Sequence, residues 1–269
     1  MSTPPAVEFD LQAYRERIGD TGPLSPTYEV LERLHLAHAT QIPFENLDLH
    51  LGQPILIDLA SLQTKLVAGR RGGYCFEQNT LFAAALRAVG FDVTCHAARV
   101  RYGATRILPR THMLLRVATE RGAYLADVGF GGGGLLLPIP LVDNAVSEQG
   151  VWKYKLVDEG PHWVLQSWGT EGWADLYAFT LEPLYPVDFE MANHFTSTYP
   201  TSIFLKTVTV QRPALEARYS LRNRLYIEQT SGGAEERTLD DEQLLQVLEQ
   251  TFGLSLPPGT RFRGLVDEG

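Results

Sequence analysis

Residues 70–79, RRGGYCFEQN, are the stretch around which the rest of the chain is organised. Two glycines precede a cysteine, and apolar residues then recur at helical spacing from Leu81 to Ala88, before Gly90 ends the pattern. Cys75 is therefore predicted in the first turn of a helix, where unpaired N–H groups and the helix dipole favour a thiolate. The alternative is a small buried apolar residue, which is the ordinary role of a free cysteine. The glycines let backbone approach the sulfur, and they favour the interpretation as a nucleophile.

The composition is that of an ordinary globular protein. The chain has 269 residues, of which 44% are hydrophobic and 20% charged, and this suits one or two domains. A net charge of −9 argues against nucleic acid as the main partner. The first ten residues hold no basic segment followed by an apolar one, and no apolar run is long enough for a bilayer. With only two cysteines, we expect a cytoplasmic protein without a disulfide framework, a membrane partner or a nucleic-acid partner.

The spacing at which hydrophobic residues recur divides the chain into three parts. Within residues 1–90 it predicts a helical unit of four helices, which begin near Leu11, Ser25, Asp58 and Cys75. After Gly90 the period becomes alternating, and many short strands in succession predict an antiparallel barrel or strongly curled sheet over residues 91–185. The predicted strands cover residues 93–102, 112–118, 124–128, 135–141, 151–157, 162–168 and 173–180.

Residues 186–269 show a mixed pattern. It predicts a short helix at 189–195, strands at 203–210 and 218–229, and a last helix that Asp241 caps and Gly253 ends. The fold class is therefore α+β, with helices first, an antiparallel barrel second and a mixed unit last.

His112 has a carboxylate within reach in the hairpin that follows it. A two-residue loop at 120–121 places His112 opposite Gly129, so that Asp127 is its diagonal neighbour on the same face of the sheet. An odd loop or a bulge would shift this parity. The alternative for Asp127 is a solvated surface position, but its apolar neighbours indicate a half-buried strand, and a buried carboxylate needs a partner. We therefore expect His112 and Asp127 to form a base and the group that orients it.

Four segments together resemble the arylamine N-acetyltransferase family: residues 42–48 (IPFENLD), 70–79, 111–113 (THM) and 127–131 (DVGFG). The resemblance implies a helical bundle, a β-barrel and a C-terminal α/β lid, with a cysteine-protease-like triad of Cys75, His112 and Asp127. It also implies acetyl transfer from acetyl-CoA to an arylamine or arylhydrazine by a ping-pong route, through an acetyl-cysteine. Acetyl-CoA is then a co-substrate, no cofactor is bound permanently, and a homodimer is compatible with the family.

Further residues are assigned to the site as expectations. Glu45 is expected to pair with Arg70 or Arg71 and so link two loops, although a solvated surface pair is the alternative. The residues expected to contact the amine or CoA are Phe44, Thr111, Gly129, Phe130, Gly131, Arg106 and Arg110. Phe44 beside a proline also suits an ordinary core position.

The glycines at 129–134 allow two interpretations. They resemble a phosphate-binding loop, but no Lys-Ser/Thr follows, which excludes a P-loop. These glycines are compatible with close passage of the pantetheine arm past the backbone. They are equally compatible with a flexible connection between barrel strands. No metal is expected, because the chain lacks H-E-x-x-H and paired C-x-x-C motifs, and Cys95 suits a strand core.

Two other functional classes compete with the acetyltransferase. Another cysteine acyl-transfer enzyme, such as an amidase, a transglutaminase-like protein or a thioesterase, would use the same three residues. A binding module without catalysis would leave the Gly-Gly-Tyr-Cys arrangement unexplained.

Overall fold

The computed structural model describes residues 8–265, so the first seven and last four residues of the predicted units lie outside the described residues. The helices are α1 Leu11–Ile18, α2 Tyr28–Gln41, α3 Leu47–Leu51, α4 Leu59–Leu62, α5 Cys75–Val89, α6 Pro186–Thr198, α7 Ile203–Lys206 and α8 Asp241–Gln250. A π-helical segment, Gln63–Ala68, continues α4, and a 3-10 turn occupies Arg263–Leu265. The strands are β1 Phe44–Glu45, β2 Asp92–Val100, β3 Arg110–Thr119, β4 Gly122–Ala126, β5 Ile139–Pro140, β6 Ala145–Gln149, β7 Trp152–Asp158, β8 Trp163–Gly169, β9 Gly172–Phe179, β10 Thr209–Pro213, β11 Ala217–Arg222, β12 Leu225–Thr230 and β13 Gly233–Thr238.

Eight strands form one antiparallel sheet in the order β5-β4-β3-β2-β9-β8-β7-β6. The sheet curls until its edge strands approach each other, and the side chain of Gln149 on β6 bonds to the segment that leads into β5. Its Oε1 accepts hydrogen bonds from the backbone N–H groups of Leu136, at 2.7 Å, and Leu137, at 2.9 Å. The predicted α+β fold class with a central antiparallel barrel is confirmed.

A second sheet has the order β1-β10-β11-β12-β13 and packs against α8. Its first strand comes from the N-terminal part of the chain, with Phe44 paired to Gln211 of β10. Phe44 also forms a parallel bridge with Gly73, just before α5. The C-terminal sheet therefore reaches the loop that carries the cysteine.

The barrel shares one apolar core with helices α1, α2, α5 and α6, while α3 and α8 pack with the C-terminal sheet. The fully buried members of the shared core include Tyr14 of α1, Phe76 and Phe82 of α5, Leu114 of β3 and Tyr177 of β9. The division of the chain at residues 90 and 185 stays a prediction. Within residues 8–265, no helix combines the length and the apolar character needed to cross a bilayer.

Several predicted elements are corrected by the structure. The strand predicted at 203–210 is wrong over its first half, because Ser202 caps a single helical turn: its Oγ accepts a hydrogen bond from the N–H of Phe204 at 3.3 Å. The strand predicted at 218–229 is two strands, and Asn223, at φ +54°, makes the tight turn between them. The strand predicted at 135–141 is reduced to Ile139–Pro140, because prolines lack the N–H that a ladder needs.

Other differences concern caps and short elements. Thr27 rather than Ser25 is the residue before α2, and Asp240 rather than Asp241 caps α8. The period also does not reveal four short elements of six residues or fewer: β1, α3, β6 and β13. Such short segments give the hydrophobic pattern too few residues to define a period.

Candidate active site

Cys75 is the first residue of α5 and is buried, with 4% of its surface exposed. The helix starts there because Glu77 turns back and accepts a hydrogen bond from the N–H of Tyr74 at 3.0 Å. The Cys75 Sγ lies 3.5 Å from the carbonyl oxygen of Thr111 on β3. The next residue along β3 is His112, so this strand brings an imidazole to the thiol.

His112 and Asp127 form a buried pair, with 2.7 Å between His112 Nε2 and Asp127 Oδ2. The hairpin has the predicted register, with Thr119 opposite Gly122, and Asp127 follows the last residue of β4. Burial lowers the pKa of His112, but the charge and hydrogen bond of Asp127, with a smaller contribution from Cys75, raise it to about 10. Nε2 is occupied by the carboxylate, so Nδ1 is the ring nitrogen left to exchange a proton with a substrate or with Cys75.

Three groups form hydrogen bonds to the ionised carboxylate of Asp127. Burial raises its pKa, yet His112, the side chain of Asn79 at 2.9 Å and the N–H of Gly129 at 2.9 Å lower it below the ordinary value. Asn79 lies one helical turn after Cys75, and that i, i+4 spacing in the motif is a signal that could have identified it.

His35 holds the backbone of Asp127, a role that the sequence does not reveal. Burial lowers the pKa of His35 to about 4, so the ring is neutral. Its Nδ1–H donates to the Leu136 carbonyl at 2.9 Å, and its Nε2 accepts the N–H of Asp127 at 3.0 Å. These partners are about a hundred residues away in sequence and belong to the barrel, so no local pattern could connect them.

Two aromatic rings enclose the imidazole. The ring centroid of His112 lies 4.8 Å from that of Tyr177 and 5.1 Å from that of Phe130, which meets it edge to face. The hydroxyl of Tyr177 is buried and has no hydrogen-bond partner within the described residues. Burial and the nearby charge of Asp127 raise the pKa of Tyr177 far above its ordinary value, so it stays neutral. Tyr177 was not among the predicted site residues.

The glycines after Asp127 pass very close to the cysteine. A Cβ on Gly129 would lie 2.6 Å from Asn79 Nδ2 and 2.8 Å from the Cα of Cys75, so this position has no room for a side chain. Gly131 adopts φ +93°, which favours glycine. The N–H of Gly132 donates to Gln211 Oε1 of β10 at 3.1 Å. The C-terminal sheet is thus attached to this loop.

Phe44 lies beside the site and is 6% exposed. Its ring centroid is 6.0 Å from that of Phe204, which in turn lies 5.6 Å from the ring of Tyr74. Phe44 therefore contributes to the apolar core and also borders the residues before Cys75. Phe204 was missed because its segment was predicted as a strand.

Glu45 pairs with Arg71, and this settles the choice between the two arginines. Arg71 donates from Nε at 3.0 Å and from Nη2 at 2.7 Å to the same Glu45 oxygen, and it also reaches Asp48 at 2.9 Å. Arg70 is exposed, adopts φ +50° and forms no ion pair within residues 8–265. The link between the two loops is therefore made by Arg71.

Lys65 extends this network to the helix that begins with Cys75. Its Nζ lies 2.6 Å from Asp48 Oδ2 and 2.7 Å from Glu77 Oε1. Glu77 is fully buried, and burial raises its pKa to about 7 although Lys65 acts in the opposite direction. The sequence pattern alone does not reveal this role of Lys65 and Glu77.

The predicted arginines have different surroundings. Arg110 pairs with Glu182 at 3.1 Å on the surface, whereas Arg106 is exposed and forms no ion pair in the described part of the chain. Arg99 and Arg106 line a cavity of about 570 Å³, with Arg101 held there by Asp175. Arg106 is thus the arginine of this group that is most available to an anion.

The arrangement is suited to nucleophilic catalysis. A thiol at a helix start, an imidazole and an orienting carboxylate lie next to one another in space. The carboxylate is held by hydrogen bonds from Asn79 and Gly129. Among residues 8–265, no three side chains of the His, Cys, Asp and Glu types come together in a way that could hold a metal ion.

Comparisons with known proteins show the family to which the chain belongs. A model of the N-acetyltransferase family matches residues 27–261. The arylamine N-acetyltransferase of Escherichia coli is 38% identical over 250 residues, which cover 91% of this chain and 89% of the relative. The solved Nocardia farcinica arylamine N-acetyltransferase has a TM-score of 0.88 and 42% identity, over 94% of this chain and 92% of that one.

A further solved relative contains a ligand. The arylamine N-acetyltransferase of Mycobacterium marinum, in complex with CoA, has a TM-score of 0.86 and 36% identity, over 91% of this chain and 92% of that one. The fold and the family model define an N-acetyltransferase enzyme. The chain belongs to the arylamine N-acetyltransferase family.

Proposed function

We propose that this protein transfers an acetyl group from acetyl-CoA to an arylamine or arylhydrazine by a ping-pong route through acetyl-Cys75. The observation that carries the proposal is the buried contact of 2.7 Å between His112 and Asp127, on a strand whose preceding residue contacts the Cys75 thiol. Cys75 is the nucleophile, His112 the base, and Asp127 the group that orients the imidazole.

In the first half-reaction, the Cys75 sulfur attacks the thioester carbonyl of acetyl-CoA. A C–S bond to Cys75 forms, the C–S bond to CoA breaks, and the CoA thiolate takes a proton from the His112 imidazolium. Because one thioester replaces another, this exchange has little net cost. Backbone N–H groups at the start of α5 are the donors available to the transient oxyanion.

In the second half-reaction, the amine nitrogen attacks acetyl-Cys75. An amide bond forms, the C–S bond breaks, and His112 accepts the proton that the nitrogen loses. Water would compete for the same intermediate, so transfer requires its exclusion. The burial of Cys75, His112 and Asp127 and the aromatic rings of Phe130 and Tyr177 support that requirement.

Acetyl-CoA is the proposed donor and no permanently bound cofactor is needed. The CoA complex of the Mycobacterium marinum relative supports this choice. Thr111, Gly129 and Gly131 are the proposed contacts of the pantetheine arm: the Thr111 carbonyl lies 3.5 Å from the Cys75 sulfur, Gly129 lies against the backbone of Cys75, and Gly131 belongs to the same loop. Phe44 and Phe130 are the proposed aromatic walls for the amine, while the pair of Glu45 and Arg71 fixes the two loops that carry Phe44 and Cys75.

The experiment is a mass measurement after brief mixing with acetyl-CoA and no amine. One acetyl group should appear on the Cys75 peptide and none on the Cys95 peptide, and adding an arylamine should remove it as acetylated amine. The matched controls are Cys75→Ser and Cys95→Ser, the second of which should still be acetylated.

Double-reciprocal rate plots test the order of the steps. Parallel lines are expected, whereas intersecting lines would indicate direct transfer in a ternary complex and contradict the proposal. Rapid release of free acetate without amine would instead indicate a thioesterase. Failure to react with acetyl-CoA, with cleavage of amides, would favour an amidase.

A further inference from the structure

Gln78 carries a buried amide that lies between the two segments flanking the site. It belongs to α5, and none of its surface is exposed. Its Nε2 donates to the carbonyl of Pro43 at 2.9 Å, and it lies 3.2 Å from the carbonyl of Gly73 and 3.3 Å from that of Ile42. One side chain thus joins the residues before Phe44 to the loop that leads into α5.

The direction of this amide is set from its other side by His38. The three carbonyls only accept hydrogen bonds, so the NH₂ group of Gln78 faces them and its Oε1 faces His38 Nε2, at 2.7 Å. Burial lowers the pKa of His38 to about 3, so the ring is neutral and carries its proton on Nε2. Its Nδ1 then accepts a hydrogen bond from the hydroxyl of Tyr14 at 2.8 Å. The donors therefore run in one direction, from Tyr14 on α1 through His38 on α2 to Gln78 on α5.

Water has no access to this series of hydrogen bonds. Tyr14, His38 and Gln78 are all fully buried, and we call these three side chains the Gln78 chain. The Ile42 carbonyl has no other hydrogen-bond partner within residues 8–265. A buried carbonyl that loses its donor is costly, so loss of the amide favours a shift of the backbone. The position of the segment before Phe44 therefore depends on the Gln78 amide.

Phe44 is the residue of that segment that borders the site. A Cβ on Gly131 would lie 3.4 Å from Cγ of Phe44, so the aromatic ring lies against the glycine loop. Pairing with β10 and the ion pair of Glu45 with Arg71 hold the backbone on the C-terminal side of Phe44. The Gln78 chain holds it on the N-terminal side.

Cys75 is held by other groups. Glu77 fixes the start of α5 by accepting a hydrogen bond from the N–H of Tyr74 at 3.0 Å, and the hydroxyl of Tyr74 donates to a side chain of α6. Neither contact involves Gln78. Loss of the Gln78 amide should therefore displace Phe44 more than it displaces the sulfur.

We propose that Gln78 is a positioning residue that sets the distance between the ring of Phe44 and the Cys75 sulfur, and thereby favours amines that carry an aromatic ring. This inference rests on the proposed acetyl transfer through Cys75. The amide does not touch the substrate; it acts through Phe44, which contacts the aromatic part of the amine. Unsubstituted hydrazine offers an attacking nitrogen without a ring, so it reacts at acetyl-Cys75 without using Phe44.

The test compares phenylhydrazine with unsubstituted hydrazine on the acetyl-enzyme that acetyl-CoA forms in a first mixing step. Gln78→Met keeps the length of the side chain and removes its N–H donors. Formation of acetyl-Cys75 and its reaction with hydrazine should stay within about twofold of the wild type, as for independent sites. The reaction with phenylhydrazine should slow about 10–100-fold, because a small displacement of a positioned substrate is costly. Gln166→Met removes an amide that bonds to Asp175 on the barrel, and as the matched control it should keep the wild-type ratio of the two rates.

Tyr14→Phe tests the far end of the Gln78 chain. It removes one hydroxyl and should lower the ratio of the phenylhydrazine rate to the hydrazine rate about fivefold, the value of one neutral hydrogen bond. Added to Gln78→Met, it should lower this ratio no further, because the two side chains belong to one network. Tyr226→Phe, at a buried tyrosine of the C-terminal sheet, is the control. If Gln78→Met does not fold, as its thermal midpoint would show, Tyr14→Phe decides alone.

Equal slowing of hydrazine and phenylhydrazine in Gln78→Met would overturn the inference, because the amide would then support the sulfur or the fold as a whole. Unchanged rates with both nucleophiles would overturn it as well. A wild type that forms no acetyl-Cys75 would contradict the proposed function and this inference with it, and that result is seen in the first mixing step, before any variant meets a nucleophile.

Discussion

At the scale of single residues, the site depends on a buried carboxylate whose two oxygens are both hydrogen-bonded. Asp127 Oδ2 faces His112, while Oδ1 accepts from Asn79 and from the N–H of Gly129. Hydrogen bonds of this kind are stronger in a buried site, where water does not compete for the same groups. The orientation of the imidazole is therefore set through Asp127 by groups on α5 and on the loop that follows Asp127.

Asp127→Asn is expected to preserve the fold and to lower kcat about 10³–10⁴-fold, by analogy with serine triads. The amide can still accept from the N–H of Gly129, but its NH₂ group would face His112 and favour the wrong tautomer. The measurement is steady-state acetylation of an arylamine, together with the thermal midpoint. Asp92→Asn, at an exposed strand position, is the control. An Asp127→Asn enzyme within tenfold of the wild type would show that the orienting role is wrong.

At the scale of elements, the helix beginning at Cys75 and the His112 hairpin were both predictable. The first depends on the local pattern from Gly72 to Gly90, and the second on a loop of even length that fixes the parity of the strands. His35 and Tyr177 were not predictable, because tertiary packing alone brings them to Asp127 and His112. The single helical turn after Ser202 was also missed, because four residues carry no period.

The buried pair of Lys65 and Glu77 is expected to make stability depend on pH. The folded pKa of Glu77 is about 7 against an ordinary value of 4.5, so between these values the folded state binds more protons than the unfolded state. The contribution of Glu77 to the free energy of unfolding should therefore fall as pH rises from 4.5 to 7. The buried neutral rings of His35 and His38, whose folded pKa values lie below the ordinary 6.5, contribute in the opposite direction. The difference in unfolding free energy between the wild type and Glu77→Gln should therefore decrease as pH rises through this range.

The measurement for Glu77 is urea unfolding at half-unit steps from pH 5 to pH 8. Glu235→Gln, at an exposed position on β13, is the control and should follow the wild-type slope. If Glu77→Gln retained the wild-type slope as well, the ionisation of Glu77 would not be responsible for it.

At the scale of the whole molecule, the net charge of −9 opposes the approach of a polyanion such as CoA. Arg99, Arg101, Arg106, Arg110 and Arg116 occupy a stretch without acidic residues, but the structure pairs Arg101 and Arg110 with carboxylates. Arg106 is the exposed arginine of the group that forms no ion pair within residues 8–265. It is the one best placed to attract the CoA phosphates.

Arg106→Ala is therefore expected to raise KM for acetyl-CoA more than KM for acetyl-pantetheine, which lacks the nucleotide. In the wild type, KM for acetyl-CoA should rise with ionic strength, because exposed charges are screened beyond about 8 Å at physiological salt. KM for a neutral arylamine should hardly change. Arg222→Ala, an exposed arginine on β11, serves as the control. Equal effects of Arg106→Ala on both donors would show that Arg106 does not contact phosphate.

The pairing of Phe44 with Gln211 has a consequence for the synthesis of the protein. A ribosome releases the N-terminal part of a chain first, and early parts usually fold first. Here β1 bridges Gly73 on one side, but its other edge cannot pair until β10 has been made. The backbone of Phe44 and Glu45, beside the segment that carries Cys75, therefore stays open to water on one side until residues 209–213 have been made.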